Sequence, residues 1–305
     1  MRILAVLVRY QMPLGQSRTF QGLRSALASD PDLAGSYKVM IWDNTPEPMT
    51  DPQLPPAFLY RHSGANLGPS GAFNQALCYA RARGHEWMLL LDQDMEIRAD
   101  FLHTLLRHRR QVESQRQIAA VVPTVRVGKV IVSPFRQRFN RLSPYRQNQP
   151  GIAPGEAIAI NSGSLVRVSA VEQIGGFSRD FWLDYSDFDL FHRFHLHGMR
   201  VWRAADTELQ HEMSVMDYDR LMTPWRYRNF SHAESAFNDL YKGSLENAVQ
   251  TLRVLLRAIR QRRKYRNPEF SRITWEQMKY RLTTSRKQRL LKWRADADRR
   301  QTTPG

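Results

Sequence analysis

The sequence predicts an α/β protein in which a mostly parallel central sheet is flanked by helices, followed by a basic α-helical C-terminal extension. Three observations carry this. Ile3–Val8, Tyr37–Trp42 and Trp87–Leu91 are short continuous apolar runs, the pattern of strands covered on both faces. Segments of helical period alternate with them, as parallel strands joined by helices require. After His211 the pattern turns helical and stays so, with Leu, Ile, Trp and Tyr set between Arg and Lys. A domain boundary is placed near Asp217, giving a first domain at 1–216 and an extension at 217–305.

Each element follows from local chemistry. Ile3–Val8 is too short for the apolar core of a signal peptide and is closed by Arg9, so it reads as a buried first strand. Thr19–Ala28 has helical period. Tyr37–Trp42 is stopped by the turn residues Asp43-Asn44-Thr45-Pro46, and a Pro-rich loop leads to a third strand at Phe58–Arg61. Asn66-Leu67-Gly68-Pro69-Ser70-Gly71 opens a helix running through Asn74 to about Arg83. Trp87–Leu91 is a fourth strand, Ala99–Arg110 a helix and Ile118–Val122 a strand. From Val125 to Pro154 the signal fades into Arg, Gln, Pro and Asn, as in a long surface excursion. Glu156–Val168 reads as a strand ending in Asn161-Ser162-Gly163-Ser164, Gly175-Gly176-Phe177 as a turn, Trp182–Gly198 as a loop entering a helix, and Met199–Trp202 as a further strand.

Composition excludes several classes. With 42% hydrophobic and 24% charged residues the chain has the apolar surface to fold, and 16 Gly and 16 Pro are ordinary for 305 residues. A single cysteine, Cys78, excludes a disulfide framework and a Cys-built zinc site, and fits a reducing compartment. No stretch approaches the ~18 consecutive apolar residues of a membrane span, so the expected location is cytoplasmic. The dinucleotide, P-loop, zinc-protease and nucleophile-elbow motifs are all missing. Charge is concentrated: residues 251–305 hold seventeen Lys or Arg against four acids, +13 of the chain's +16, so the remainder is nearly neutral.

Four groups of residues could carry chemistry. Trp87-Met88-Leu89-Leu90-Leu91-Asp92-Gln93-Asp94 delivers two carboxylates at the carboxyl end of a buried strand, the edge of a parallel sheet where ligands bind. Residues i and i+2 of an extended segment point the same way, so Asp92 and Asp94 can converge. Clustered carboxylates repel unless a cation or a proton joins them, and a hard ion such as Mg²⁺ or Mn²⁺ suits them. Read alone, the same residues serve equally as a polar turn with Asp94 as a helix cap. The glycine-rich helix start at Asn66–Gly71 permits close backbone approach and favours an anion. Asp184, Asp187 and Asp189 lie beside Trp182 and Tyr185 ahead of a helix; they suit a sugar-binding site with a general base, or a set of helix caps. Asp189 and Arg193, four apart, read as a structural pair. His211 follows the last strand and is placed to close over the site.

Taken in order, these pieces resemble the inverting family 2 glycosyltransferases and their nucleotide-sugar-binding GT-A fold, over roughly residues 1–215. The likeness rests on Val6–Tyr10, Asp43, Asn66-Leu67-Gly68 with Asn74, Asp92-Gln93-Asp94, Asn161-Ser162-Gly163-Ser164, Gly175-Gly176-Phe177, Asp187-Phe188-Asp189 with Arg193, and His211. The Asp-Gln-Asp, Asn-Ser-Gly-Ser and Asp-Tyr-Ser-Asp forms are most similar to a bacterial rhamnosyltransferase branch. The resemblance implies that Tyr10 and Asp43 hold the nucleobase. It implies that Asn66, Gly68, Asn74 and Asp92 line the nucleotide and diphosphate, and that Asp92, Asp94 and His211 hold the metal. Asp187 would be the catalytic base, with Asp184 second, and Trp182, Ser162 and Gly163 would contact the acceptor. Arg9-Tyr10-Gln11 departs from the Thr-Tyr-Asn of many relatives, and Arg9 is read as a further phosphate contact or a determinant of nucleotide preference.

The resemblance thus implies a metal-dependent inverting transferase that moves L-rhamnose from dTDP-rhamnose to a glycan or lipid-linked glycan in bacterial surface polysaccharide synthesis. The alternatives are a UDP-sugar donor, or a non-catalytic carbohydrate- or membrane-binding protein on the same scaffold. The basic extension is read as a peripheral foot on the anionic inner face of the cytoplasmic membrane, or as a contact for a homo-oligomer. No nucleic-acid-binding module accompanies it, and nucleic acid is not an expected partner.

Overall fold

The computed structural model describes residues 2–49, 54–138, 141–145, 149–211 and 222–302. The described residues up to His211, Arg141 aside, form one compact unit, and those from Met222 form another. The boundary expected near Asp217 lies outside the described residues.

The first unit is built around β1 (Ile3–Arg9), all seven residues of which are buried. It pairs in parallel with β2 (Tyr37–Asp43) on one side and β4 (Trp87–Asp92) on the other, and β3 (Phe58–His62) lies parallel outside β2. The connections are α1 (Arg18–Ser29) with the short α2 (Pro31–Ser36), α3 (Gly68–Ala82) and α4 (Ala99–Gln111). Beyond β4 the direction changes. β11 (Leu165–Arg167) runs antiparallel between β4 and β5 (Ile118–Val127), and β12 (Arg200–Gln210) returns parallel to β5. The order is β3-β2-β1-β4-β11-β5-β12-β9, with β6 (Val130–Ser133) pairing β5 and β9 (Gly151–Ile152) closing the edge. A three-stranded sheet joins β10 (Ala157–Ile158), β7 (Phe135–Arg138) and β8 (Arg141–Pro144). α5 (Val168–Gln173) and α6 (Ser186–Leu196) complete the unit.

Alternation along β1 sends Leu4, Val6 and Val8 into a core with Ala72, Phe73, Ala76 and Leu77 of α3 and Phe191 and Phe194 of α6. The opposite face is covered in turn: Tyr37 donates its hydroxyl to Leu102 O of α4 at 2.9 Å. Covering on both faces is why these strands are continuous apolar runs.

Three sequence expectations change. The run Glu156–Val168 is two short strands, β10 and β11, parted by a corner at Asn161–Ser164. Gly163 at φ +79° makes that turn, and Ser164 Oγ holds it through Ile160 O at 2.6 Å. The excursion from Val125 to Pro154 carries β6 to β9, strands of two to four residues that leave too little pattern to read. Met199–Trp202 extends to Gln210, because the strand re-pairs with Thr124–Arg126 after an irregularity between Ala204 and Glu208. The acids Asp206 and Glu208 hide this half of the strand in the sequence.

The second unit contains α7 (Pro224–Tyr241), α8 (Ser244–Lys264), α9 (Glu269–Thr283) and α10 (Arg286–Thr302). One apolar cluster joins Met222, Tyr227, Phe270 and Ile273 with Phe230 and Tyr265 against them, and Phe237, Val254, Ala258 and Met278 are buried as well. Polar networks fill the rest. Tyr227, Thr274 and Gln261 close a buried ring of hydrogen bonds of 2.6–2.8 Å. Arg257 grips Glu234 through two nitrogens, at 2.6 and 2.7 Å. Arg281 donates to Ser235, Asn247 and Thr251, and its guanidinium lies 3.6 Å from Asp239, which also takes a bidentate grip from Arg289. The cationic extension is therefore partly an internal scaffold. Acids upstream of residue 251 neutralise several of its arginines.

Among the described residues no helix is long and apolar enough to cross a membrane. Asp239→Ala strips the counter-charge from two arginines and should destabilise this unit by about 3–5 kcal/mol, the cost of breaking a buried pair from one side. A drop in the urea midpoint followed by far-UV circular dichroism checks this; an unchanged midpoint would show the pair to be dispensable.

Candidate active site

The carboxyl ends of β1, β2 and β4 bring Tyr10, Asp43 and Asp92 to one rim of the sheet. The turn after β4 is pinned from α1. Thr19 Oγ1 donates to Asp92 O at 2.6 Å and accepts from Met95 N at 2.9 Å, and Ser17 Oγ donates to Gln93 O at 2.7 Å. Gln93 spends its side chain on the neighbouring strand, accepting from Tyr10 N at 2.9 Å and donating to Tyr10 O at 3.2 Å. The middle residue of Asp92-Gln93-Asp94 is thus a clamp, and it leaves the two aspartates to act together. The Tyr10 ring itself is exposed.

His211, just past β12, sits between those aspartates. Its Nε2 is 3.8 Å from Asp92 Oδ2 and its Nδ1 is 3.7 Å from Asp94 Oδ1. Ser162, at the corner before β11, donates a short hydrogen bond to Asp92 Oδ2. Burial raises the Asp94 pKa above the ordinary carboxylate value, and the charge of Asp92 raises it further; His211 and Arg18 pull it back. His211 Nδ1 is buried without a hydrogen bond. Among the described residues no three acidic, His or Cys side chains enclose a point as metal ligands do. The donors nonetheless fit a hard divalent cation: two neighbouring carboxylates that repel each other, and beside them an imidazole nitrogen without a hydrogen bond.

Asp43 occupies a separate pocket. It is fully buried, accepts from Tyr60 Oη at 2.7 Å and Thr45 N at 3.0 Å, and forms an ion pair with Arg9. Burial alone raises its pKa; the Thr45, Tyr60 and Arg9 contacts outweigh that and hold it below the usual value. Arg9 also donates to Met12 O at 2.6 Å and Thr45 Oγ1 at 3.0 Å. The Arg9 guanidinium is buried against Asp43, in the pocket that Asp43 shares with Thr45 and Tyr60.

The glycine-rich start of α3 and the loop before α6 are stitched together. Asn66 Oδ1 accepts from Gly68 N at 3.0 Å, forming the turn that starts the helix. Gly68 has φ +64°, and a Cβ there would lie 2.2 Å from Trp182 O. Ser70 Oγ donates to Phe181 O at 2.6 Å, and Ser70 N to Trp182 O at 3.3 Å. Asn74 makes both of its side-chain bonds to one residue, donating to Phe177 O at 2.8 Å and accepting from Phe177 N at 2.9 Å, with Gly176 close above it. Asn74 therefore serves as a latch for the Gly175-Gly176-Phe177 turn. Gly163 likewise packs against Leu209 and Pro123.

This stitching sets the start of α6. Tyr185 takes a left-handed conformation at φ 65°, and its ring stacks on Phe188 at 4.7 Å. Asn161 Nδ2 donates to Ser186 Oγ at 3.0 Å. Asp187 is half-buried and its pKa is pushed up to about 7, chiefly by burial, with the charges of Asp184 and Asp92 adding to it against the Phe188 N–H. Asp189 is buried and paired with Arg193, as the i,i+4 spacing predicts. Ser17, Thr19, Arg18 and Tyr60 escape the sequence reading. Ser17 heads α1 as its cap, which is the local signal that could have found it.

With this geometry in hand, comparison defines the class. Residues 43–175 match the family model described as Glycosyl transferase family 2. The S. aureus TarS 1-349 structure aligns at TM-score 0.52 and 15% identity, over 82% of this chain and 68% of that one. GalNAc-T7, in a structure with UDP, GalNAc and Mn²⁺, aligns at 0.55 and 11% identity over 77% of this chain and 49% of that one. The mannosyltransferase PcManGT from Pyrobaculum calidifontis, in complex with GDP-Man and Mn²⁺, aligns at 0.52 and 13% identity over 100% and 76%. No curated protein sequence matches the chain. At these identities the structural likeness is one of fold, and the fold is GT-A-like. The matched segment, residues 43–175, supports a glycosyltransferase.

Asn74→Ala removes two hydrogen bonds and leaves both polar groups of Phe177 unmatched. A loss of about 2–3 kcal/mol is expected, at roughly 1 kcal/mol or more per bond, read as a lower denaturation midpoint. Gly68→Ala should shift the 178–185 loop, seen as faster amide exchange there; unchanged exchange would mean the loop is held elsewhere.

Proposed function

We propose that the chain is a metal-dependent inverting glycosyltransferase that uses a nucleotide-diphosphate sugar, with dTDP-rhamnose as donor and a glycan or lipid-linked glycan of a bacterial surface polysaccharide as acceptor. The observation that carries the reading is the placement of Asp187, a carboxyl with a pKa of about 7, within electrostatic reach of Asp92, itself 3.8 Å from His211. A general base works best with a pKa near the working pH. Asp187 would take the proton of the acceptor hydroxyl as that oxygen bonds to the anomeric carbon and the bond to the diphosphate breaks. Attack opposite the leaving group inverts the centre. Asp184 keeps Asp187 basic through its own charge. Trp182, packed against Gly68, would offer its ring to the acceptor, and Ser162, bonded to Asp92, would contact it from the other side of the site.

Asp92, Asp94 and His211 would hold the ion, and a bound divalent cation neutralises the charge growing on the departing diphosphate. The Mn²⁺ and nucleotides of GalNAc-T7 and PcManGT support that donor class. Asp43, Tyr10 and Asn66 would receive the nucleoside. Asp43 already serves Arg9, Tyr60 and Thr45, so the base it selects must bond to a partly committed carboxylate. This is where a UDP donor, the competing reading, would be told from dTDP.

Asp187→Asn should lower kcat by ~10²–10⁴-fold, the usual contribution of a positioned base, while leaving donor affinity within a factor of about two; undiminished turnover removes Asp187 from the role. Because the base must be ionised, kcat/KM should rise about tenfold per pH unit below the Asp187 pKa and level off above it, with the bend below 7 once a bound ion offsets the Asp92 charge. A titration with metal-saturated enzyme reads this directly. Thermal shifts with dTDP, UDP and GDP, each with and without Mn²⁺, should show ion-dependent stabilisation by dTDP above the others. Stabilisation by UDP alone would replace the rhamnose reading.

A further inference from the structure

α8 is arranged inside out. The residues it buries are Asn247, Gln250, Val254, Ala258 and Gln261, three of them polar amides. Its exposed face carries Leu245, Val249, Leu252, Leu256 and Ile259, between 39% and 79% exposed. The spacing of these five is four, three, four, three, so they form one straight apolar stripe about 21 Å long at 1.5 Å per residue. An inward amide face bonded to Arg281, Tyr227 and Thr274 fixes the rotation of the helix, so the stripe cannot roll into the core.

Charge identifies what covers the stripe. Arg253, Arg260, Arg262, Arg263 and Lys264 are all exposed on the same helix. Its one acid, Glu246, caps the amino end by accepting from Gly243 N at 3.1 Å. A second copy laid on the stripe would bring a second set of the same cations, with one acid to each set. An anionic surface would accept both the stripe and its cations. An apolar stripe bordered by Arg and Lys on a helix too polar to span is the form that lies in the headgroup plane of a membrane.

We propose that the exposed face of α8 is a docking surface for an anionic lipid bilayer, entered by Leu245, Val249, Leu252, Leu256 and Ile259 and held by Arg260, Arg262 and Arg263. This goes beyond the glycosyl-transfer reading and does not depend on it, since docking is measured without donor or acceptor.

The full chain is floated with vesicles of neutral phosphatidylcholine, or with 30% phosphatidylglycerol added. Binding to the anionic vesicles alone, weakened at least tenfold between 50 mM and 500 mM salt, is expected. Leu252→Gln with Leu256→Gln should reduce partition at least tenfold with the melting temperature unchanged, as both side chains are exposed. Arg260→Gln, Arg262→Gln and Arg263→Gln together should remove the salt-sensitive part. Equal binding to neutral and anionic vesicles, no flotation, or flotation unaffected by the leucine changes each overturns the proposal. So does a dimer in light scattering that dissociates in the leucine variant, because it assigns the stripe to a second copy.

Discussion

Two carboxylates held one residue apart on a sheet rim repel each other, and the unit is organised around keeping them there. Left to itself, the turn after β4 would splay Asp92 from Asp94 or draw in protons. Thr19 and Ser17 fix its backbone from α1, and Gln93 anchors it to the end of β1. Ser162 supplies a hydrogen bond to Asp92, and the two nitrogens of His211 lie near the half-buried carboxylates of Asp92 and Asp94, one beside each. A structure selected for stability alone would have replaced one aspartate with asparagine and removed the repulsion.

The same economy governs the acceptor side. Asp187 keeps a proton in the folded protein that the unfolded chain gives up near the ordinary carboxylate value of 3.8. Its folded pKa is raised, so its contribution to stability is complete at low pH and declines as pH climbs from about 4 to about 7. Tyr185 adds a left-handed backbone, costing roughly 1–2 kcal/mol for a residue with a side chain. Both strains sit at the start of α6, and the stitches from α3 hold them: Ser70 to Phe181, Asn74 to Phe177, and Gly68 against Trp182. The glycines and amides of the resemblance are largely the means by which the loop carrying Trp182, Asp184 and Asp187 is held in a conformation it would not choose.

That separation explains what could be read from the chain. The first four strands were legible because strands covered on both faces leave continuous apolar runs, and the clustered aspartates were legible because unlike their neighbours they have no packing reason to be there. The latch made by Asn74 is not legible in the sequence, because its two bonds go to Phe177, 103 residues away. Arg9 was opaque for a similar reason: nothing local says that its guanidinium turns back onto Asp43. The outer half of β12 and the short strands between Val125 and Pro154 were hidden because an edge strand with charged residues, or one of two to four residues, has no period to detect.

The helical unit shows the limit of reading charge from composition. Seventeen cations in residues 251–305 suggest one undivided electrostatic surface. In the fold they separate by depth. Arg257, Arg281 and Arg289 are withdrawn to Glu234 and Asp239, beside the apolar side chains buried in the same unit. Building the interior from amides and ion pairs has a consequence for the outside. A helix that turns its polar side inward must turn its leucines outward, and the cations left over line the face those leucines occupy. A unit with an ordinary apolar core would have had neither an exposed stripe nor a reason to surround it with charge.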